Sequence, residues 1–283
     1  MTPDRPRRPG PVVRVRVQEH TADDVRRRED RVATEEPLEI RLAWPGEPAR
    51  RVWVTMRTPG HDFELAAGWL RHEGILGGIV GAAGGLRSVV YCTDADLAPE
   101  QEYNVVTVTL DGPPLRDPGH RHDATSSGSS ACGVCGKDSL DEALALTPGR
   151  HWGGDPLEPA VARTLPHLLR AEQSVFARTG GVHAAGLATA SGELLVVRED
   201  VGRHNAVDKV TGARLLAGLP PAEACLVVSG RAGFELVQKA VAAGVGALVA
   251  VGAPTSLAVR LARESGLTLY GFVDAGRCVR YAG

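Results

Sequence analysis

The rhythm of the chain from Glu193 to Val273 constrains the fold more than anything else in the sequence. Strand-like Glu193–Val197 is followed by a helical pattern from His204 to Ala217. Cys225–Ser229, Ala247–Val251 and Thr268–Val273 then alternate with helical patterns over Phe234–Ala243 and Ser256–Glu264. Short Val- and Leu-rich strands between amphipathic helices predict a sheet covered by helices on both faces, an α/β fold. Ligands in such folds gather where the strands end and the loops open.

The first half has a different pattern. Residues 1–34 read as a disordered basic arm, because Met1–Arg31 carries nine arginines, six acidic residues and four prolines. Residues 35–115 read as a small α+β unit. In it, Leu38–Leu42 and Arg51–Arg57 alternate apolar and polar residues around Pro45-Gly46-Glu47-Pro48, which predicts a β-hairpin. Asp62 is placed to cap a helix with Phe63, Ala66, Ala67 and Leu70 at helical spacing, which Gly74 stops. Strands follow around Leu86–Cys92 and Tyr103–Leu110. Residues 116–137 read as a mobile loop and 138–283 as the second domain. That domain opens with a capping box at Ser139-Leu140-Asp141-Glu142 and continues through a helix from Glu158 to Arg178.

The loop carries Cys132-Gly133-Val134-Cys135. Flanking glycines and serines leave little apolar surface to bury, so these thiols are expected to be accessible. Lys137 and the helix N-terminus near Ser139 favour thiolate, the form that attacks sulfur donors. Three other assignments remain open on the residues alone: half of a zinc site, a thioredoxin-type redox pair, or inert thiols. A structural zinc site usually takes four ligands, and Cys92, Cys225 and Cys278 stand singly.

Three strand–helix turns have the character of anion sites. Arg198-Glu199-Asp200-Val201-Gly202-Arg203-His204-Asn205 offers Arg203 and His204 at a helix N-terminus. Ser229-Gly230-Arg231 and Ala253-Pro254-Thr255-Ser256 repeat the logic after later strands. Arg203, Arg231, Ser229, Gly230, Thr255 and Ser256 are therefore candidate contacts to a phosphate-bearing ligand, with Lys209 a weaker one. The chain lacks Walker and Gly-x-Gly-x-x-Gly spacings, which disfavours an ordinary ATPase or dehydrogenase.

His183 in Thr179-Gly180-Gly181-Val182-His183-Ala184-Ala185 invites comparison with zinc-dependent deaminases, which need His-x-Glu upstream of Cys-x-x-Cys. Here the order is reversed and Ala185 stands where the glutamate would be. Without that carboxylate the general acid–base step is lost, so a deaminase is disfavoured. The net charge of −2 and pI near 6.5 give no global attraction to nucleic acid or membrane. No apolar run reaches the roughly 18 residues of a span, and five cysteines are a poor disulfide framework. The expectation is a cytoplasmic protein.

Taken in order, Glu36–Ile40, Met56–Gly60, Cys132–Gly136, Thr179–Ala185, Asp200–Lys209, Ser229–Arg231 and Ala253–Ser256 resemble the FdhD/NarQ proteins from about residue 35 to the end. The resemblance implies a sulfurtransferase that takes persulfide sulfur from a cysteine desulfurase. It would pass that sulfur to the molybdenum cofactor, in its bis(molybdopterin guanine dinucleotide) form, before formate dehydrogenase receives it. The cofactor is then a transfer substrate and no resident metal is implied. It also implies catalytic cysteines at Cys132 and Cys135, with the persulfide on Cys132. A cofactor-binding stretch would fall at Phe272-Val273-Asp274-Ala275-Gly276-Arg277, Arg277 joining Arg203 and Arg231 as an anion contact. A cytidine-deaminase-like three-layer second domain without zinc and a homodimer are implied as well. A cofactor chaperone without sulfur chemistry is the alternative of another class.

Overall fold

A computed structural model describes residues 8–76, 84–92, 98, 101–118 and 151–283. The candidate cysteines Cys132 and Cys135, and the helix expected from Ser139, lie outside the described residues.

The first two strands correct the sequence expectation. β1 (Val12–His20) and β2 (Val25–Ala33) form an antiparallel ribbon where a disordered arm was expected. Val13-Arg14-Val15-Arg16-Val17 has the two-residue period of a strand, which the arginine and proline content obscured.

A four-stranded sheet of order β4-β3-β6-β5 follows, built from β3 (Glu36–Trp44), β4 (Glu47–Arg57), β5 (Leu86–Tyr91) and β6 (Val105–Leu110). Alternation puts Leu38, Ile40 and Leu42 in one core with Val106, Val108 and Leu110. Helix α1 (Asp62–His72) lays Leu65, Ala66, Trp69 and Leu70 into the same core. Asp62 does not cap this helix. Its carboxylate accepts two bonds from buried Arg57, at 3.0 and 3.2 Å, and one from the Tyr91 hydroxyl at 2.8 Å. The residue before it, His61, takes a left-handed conformation instead.

The second sheet has order β12-β11-β10-β9-β7-β8. Its strands are β7 (His183–Ala188), β8 (Leu194–Asp200), β9 (Cys225–Val228), β10 (Ala247–Ala250), β11 (Thr268–Gly271) and β12 (Val279–Ala282). The helix expected from Glu158 to Arg178 is two: α2 (Pro159–Ala171) and α3 (Ser174–Thr179). The break has a tertiary cause. The Glu199 carboxylate accepts from the Val175 and Phe176 amides, both at 2.8 Å, which gives the second piece an N-terminal cap from another strand. Helices α4 (Arg203–Leu216), α5 (Phe234–Ala243) and α6 (Ser256–Ser265) cover one face of the sheet through Val207, Val210, Leu236, Val237 and Leu261. Helix α2 covers the other through Leu165 and Leu169. Helices on both faces are what the strand–helix alternation predicted.

Glycine lets the two halves meet closely. A Cβ on Gly68 of α1 would lie 2.6 Å from the Asp208 carbonyl carbon, and one on Gly212 of α4 would lie 2.6 Å from that of Glu64. The helices therefore cross backbone to backbone. Around the crossing, Arg198 forks onto Glu64 at 2.5 and 2.7 Å, and Asp208 accepts from His72 and Lys239, both at 2.6 Å.

Candidate functional site

In the second sheet, β8, β9, β10 and β11 point the same way and β7 runs against them. The C-terminal ends of four strands and the first residue of β7, His183, thus share one edge. Hydrogen bonds lace the loops at this edge together. The Ser229 amide donates to the Ala184 carbonyl at 3.0 Å, Gly252 to Gly230 at 2.9 Å, Thr255 to Ala232 at 3.1 Å, and Phe272 to Gly252 at 3.1 Å. The loops carrying Ser229-Gly230-Arg231, Thr255-Ser256 and Phe272–Arg277 are consecutive along the edge, as the strand alternation required.

Individual residues divide into scaffold and free groups. Ser229 accepts from the Ala184 amide through its hydroxyl at 2.9 Å, so it clamps β9 to β7. Thr255 caps α6 through Ala258 at 3.4 Å, and Ser256 is exposed beside it. Val273 is buried and presents only backbone. Gly230 lies against His183, since a Cβ there would stand 3.5 Å from Nδ1. Half-buried Arg203 and exposed Arg231 form no hydrogen bond or ion pair with a described residue, and a guanidinium is the side chain that grips an anion bidentately.

The Phe272–Arg277 turn resolves an oddity of the sequence, an aspartate where a basic or small residue suits a phosphate ligand. Asp274 Oδ1 accepts from the Gly276 and Arg277 amides, at 2.8 and 2.9 Å. Its own amide donates to the Arg277 carbonyl at 2.9 Å. The carboxylate builds the turn. Phe272 takes a left-handed φ of 49°, uncommon for a non-glycine residue. Its exposed ring has the Arg277 guanidinium 5.4 Å from its centroid. Ala275 and Gly276 are exposed at the tip.

Two expected contacts are reassigned. Lys209 is buried: its ammonium lies 2.6 Å from Asp200 and donates to the Thr58 carbonyl at 2.8 Å. Asp200 also accepts from the Thr58 amide at 3.1 Å, Gly202 at 2.8 Å and Asn205 at 3.1 Å. Most of the Asp200–Lys209 motif therefore joins the two sheets and does not face the loop edge. His204 is the second case. Its Nε2 lies 2.8 Å from Oε2 of Glu235, so this nitrogen already has a partner. Burial works to raise the Glu235 carboxyl, but His204 and then Lys239 hold it below its ordinary value. The reading of the sequence missed Glu235. Its signal was weak, an acid in the first turn after Gly233, where the helix dipole alone explains one.

His183 is half-buried. Burial, then Arg203 and His204, lower its pKa, so the ring is neutral at neutral pH. Ala185, where a deaminase would carry its glutamate, is fully buried in the sheet and faces the helical core.

An open α/β sheet carries three cation- or hydroxyl-bearing loops and a turn of exposed aromatic and arginine at one edge, the place where ligands of such sheets gather. The FdhD/NarQ family model matches residues 33–283, and the chain belongs to that family. It is 51% identical over 263 residues to the sulfur carrier protein FdhD of Streptomyces avermitilis, covering 90% of this chain and 88% of that one. It is 46% identical over 264 residues to the protein of the same name from Mycobacterium tuberculosis, covering 91% and 92%. Among solved structures, a formate dehydrogenase accessory protein from Desulfotalea psychrophila superposes with a TM-score of 0.73 at 23% identity. That superposition covers 96% of this chain and 98% of the other.

Proposed function

We propose that the protein is a sulfur carrier that serves the maturation of formate dehydrogenase. Cys132 accepts sulfur as a persulfide from a cysteine desulfurase: its thiolate attacks the donor's outer sulfur and the donor thiolate leaves. The sulfane sulfur needs two electrons to become sulfide. Cys135, three residues on, supplies them when its thiolate attacks Cys132, closing a disulfide and releasing the sulfur to the acceptor. The acceptor is the molybdenum of bis(molybdopterin guanine dinucleotide), bound as substrate with its phosphates at the loop edge by Arg203, Arg231 and Arg277. The work is done in the cytoplasm by a homodimer.

The observation that carries this proposal is 51% identity to a protein named sulfur carrier in a chain whose sequence holds Cys132-Gly133-Val134-Cys135. The strand-end edge, where Arg203 and Arg231 form no ion pair with a described residue, supports the cofactor half of it. Complementation tests it. In a strand-for-strand comparison of gene-deleted cells, the wild-type chain restores formate dehydrogenase activity and Cys132→Ala does not. A cofactor chaperone without sulfur chemistry would survive loss of both cysteines.

A further inference from the structure

The β1–β2 ribbon has faces of different character. The register pairs Arg14 with Arg31, Arg16 with Glu29, Gln18 with Arg27 and His20 with Val25 on one face. The other pairs Val13 with Val32, Val15 with Asp30, Val17 with Arg28 and Glu19 with Arg26. The second face is neutralised within itself, with Arg26 and Arg28 on Glu19 at 3.5 and 3.3 Å and Arg28 on Asp30 at 3.1 Å. Its Val15, Val17, Glu19 and Asp30 are partly covered. The first face carries four arginines and one glutamate, and every position on it from Arg14 to Arg31 is exposed. Arg14 and Arg31 stand directly opposite each other, an arrangement that costs the free ribbon stability. Only Arg14 reaches Glu29, at 3.1 Å.

The ribbon is fixed at its root. The Thr34 amide donates to the Pro11 carbonyl at 3.1 Å, and Arg8 lies over the Tyr91 ring at 5.1 Å. Ala33 adjoins Gly181, two residues before His183, within 3.5 Å of where a Cβ would stand. At the far end Thr21 and Asp24 close the turn with reciprocal bonds, including Asp24 amide to Thr21 Oγ1 at 3.0 Å. Nine-residue strands make an arm of about 30 Å. A two-stranded ribbon has marginal stability alone, so a wholly exposed face with four arginines against one glutamate calls for a partner. The superposition on the solved relative covers more of the chain than residues 33–283, so it reaches into the arm.

We infer that the basic face of this arm, Arg14, Arg16, Arg27 and Arg31, docks a carboxylate-rich protein surface and brings that partner to the root beside the His183 edge. Glu29 at the centre of the face opposes a polyphosphate but tolerates a protein surface with donors of its own. The inference rests on the proposed function for the choice of probes, since a sulfur carrier must meet a donor and a client. Surface plasmon resonance of the full chain against purified cysteine desulfurase and purified apo formate dehydrogenase tests it. Wild type should bind at least one of them, weakening steeply between about 50 and 200 mM salt. The R14Q/R27Q/R31Q variant should lose about tenfold or more in affinity, mostly through slower association, while R26Q/R28Q on the opposite face stays near wild type. Equal affinities for all three chains, equal losses from both faces, or salt-independent binding would each overturn the docking face. If neither probe binds but the desulfurase still loads sulfur onto the chain, the docking face is refuted and the proposed function stands.

Discussion

Replacing Gly212 by alanine sets two sizeable effects against each other. As a helix-interior substitution it should stabilise α4 by about 1 kcal/mol, the usual gain of alanine over glycine. The crossing opposes this. The new methyl would stand 2.6 Å from the Glu64 carbonyl carbon and 2.8 Å from its Cα, where ordinary contact begins near 3.4 Å. Both obstacles are backbone and the Glu64 carbonyl oxygen is nearer still, so relief requires α1 and α4 to move apart by about 1.5 Å. That movement loosens the packing of the seam and strains the Arg198–Glu64 fork. Overpacking of this kind costs about 1–3 kcal/mol and sits at the upper end when no side chain can yield. The expected net is a loss of about 2 kcal/mol. Gly68→Ala, whose methyl meets Asp208 and the Gly212 amide, should behave alike. Once the helices have parted for one methyl the second costs less, so the double variant should fall well short of the sum. Urea titrations of the four chains measure all of this. A stabilised Gly212→Ala, as propensity alone demands, or strict additivity, would refute the close crossing.

Lys209→Met should cost about 3–5 kcal/mol by stranding Asp200 in the interior, while leaving the nucleotide affinity of the folded fraction unchanged; denaturation and calorimetric titration separate the two. Arg231→Ala and Arg277→Ala should each weaken binding of guanosine diphosphate, a probe for the cofactor's dinucleotide end, by about tenfold with little change in stability. The Glu64 carboxyl is subject to burial, which raises it, but Arg198 and His61 bring it from 4.5 down to about 2. Its contribution is therefore complete above pH 4.5 and lost as pH falls toward 2. Full linkage would be roughly 3 kcal/mol, which solvent screening of a partly exposed pair reduces to about 1–2 kcal/mol. Arg198→Gln should flatten acid unfolding over that interval, as circular dichroism against pH would record.

The second sheet was legible because its strands are short, apolar and separated by helices with clear periodicity, so β9, β10, β11 and the helices between them lie within a residue or two of expectation. β7 was not, since His183-Ala184-Ala185-Gly186-Leu187-Ala188 lacks the β-branched residues that mark strands. β12, Val279-Arg280-Tyr281-Ala282, lacks the continuous apolar run of the equally short β9 and β10, so it did not stand out. The loop edge followed from topology: Ser229, Gly230 and Arg231 come directly after β9, and Phe272–Arg277, which only the family resemblance implied, comes after β11 on the same edge. What the sequence could not convey was which polar residues face a ligand and which face another part of the chain. Lys209, His204 and Asp274 are chemically equipped for an anion or its surroundings, yet Asp200, Glu235 and the turn amides claim them. Partners over a hundred residues apart, such as Thr58 and Asp200, leave no trace in local spacing. Glu199 capping α3 from β8 broke a continuous-looking helix for the same reason.

On the proposed mechanism, sulfur travels on the thiol of Cys132. Mass spectrometry of the intact chain after incubation with a cysteine desulfurase and cysteine addresses it directly. Wild type should gain the mass of one sulfur atom, removable by a reducing agent, and Cys132→Ala should gain none. An unmodified wild-type chain, or undiminished loading of Cys132→Ala, would contradict it.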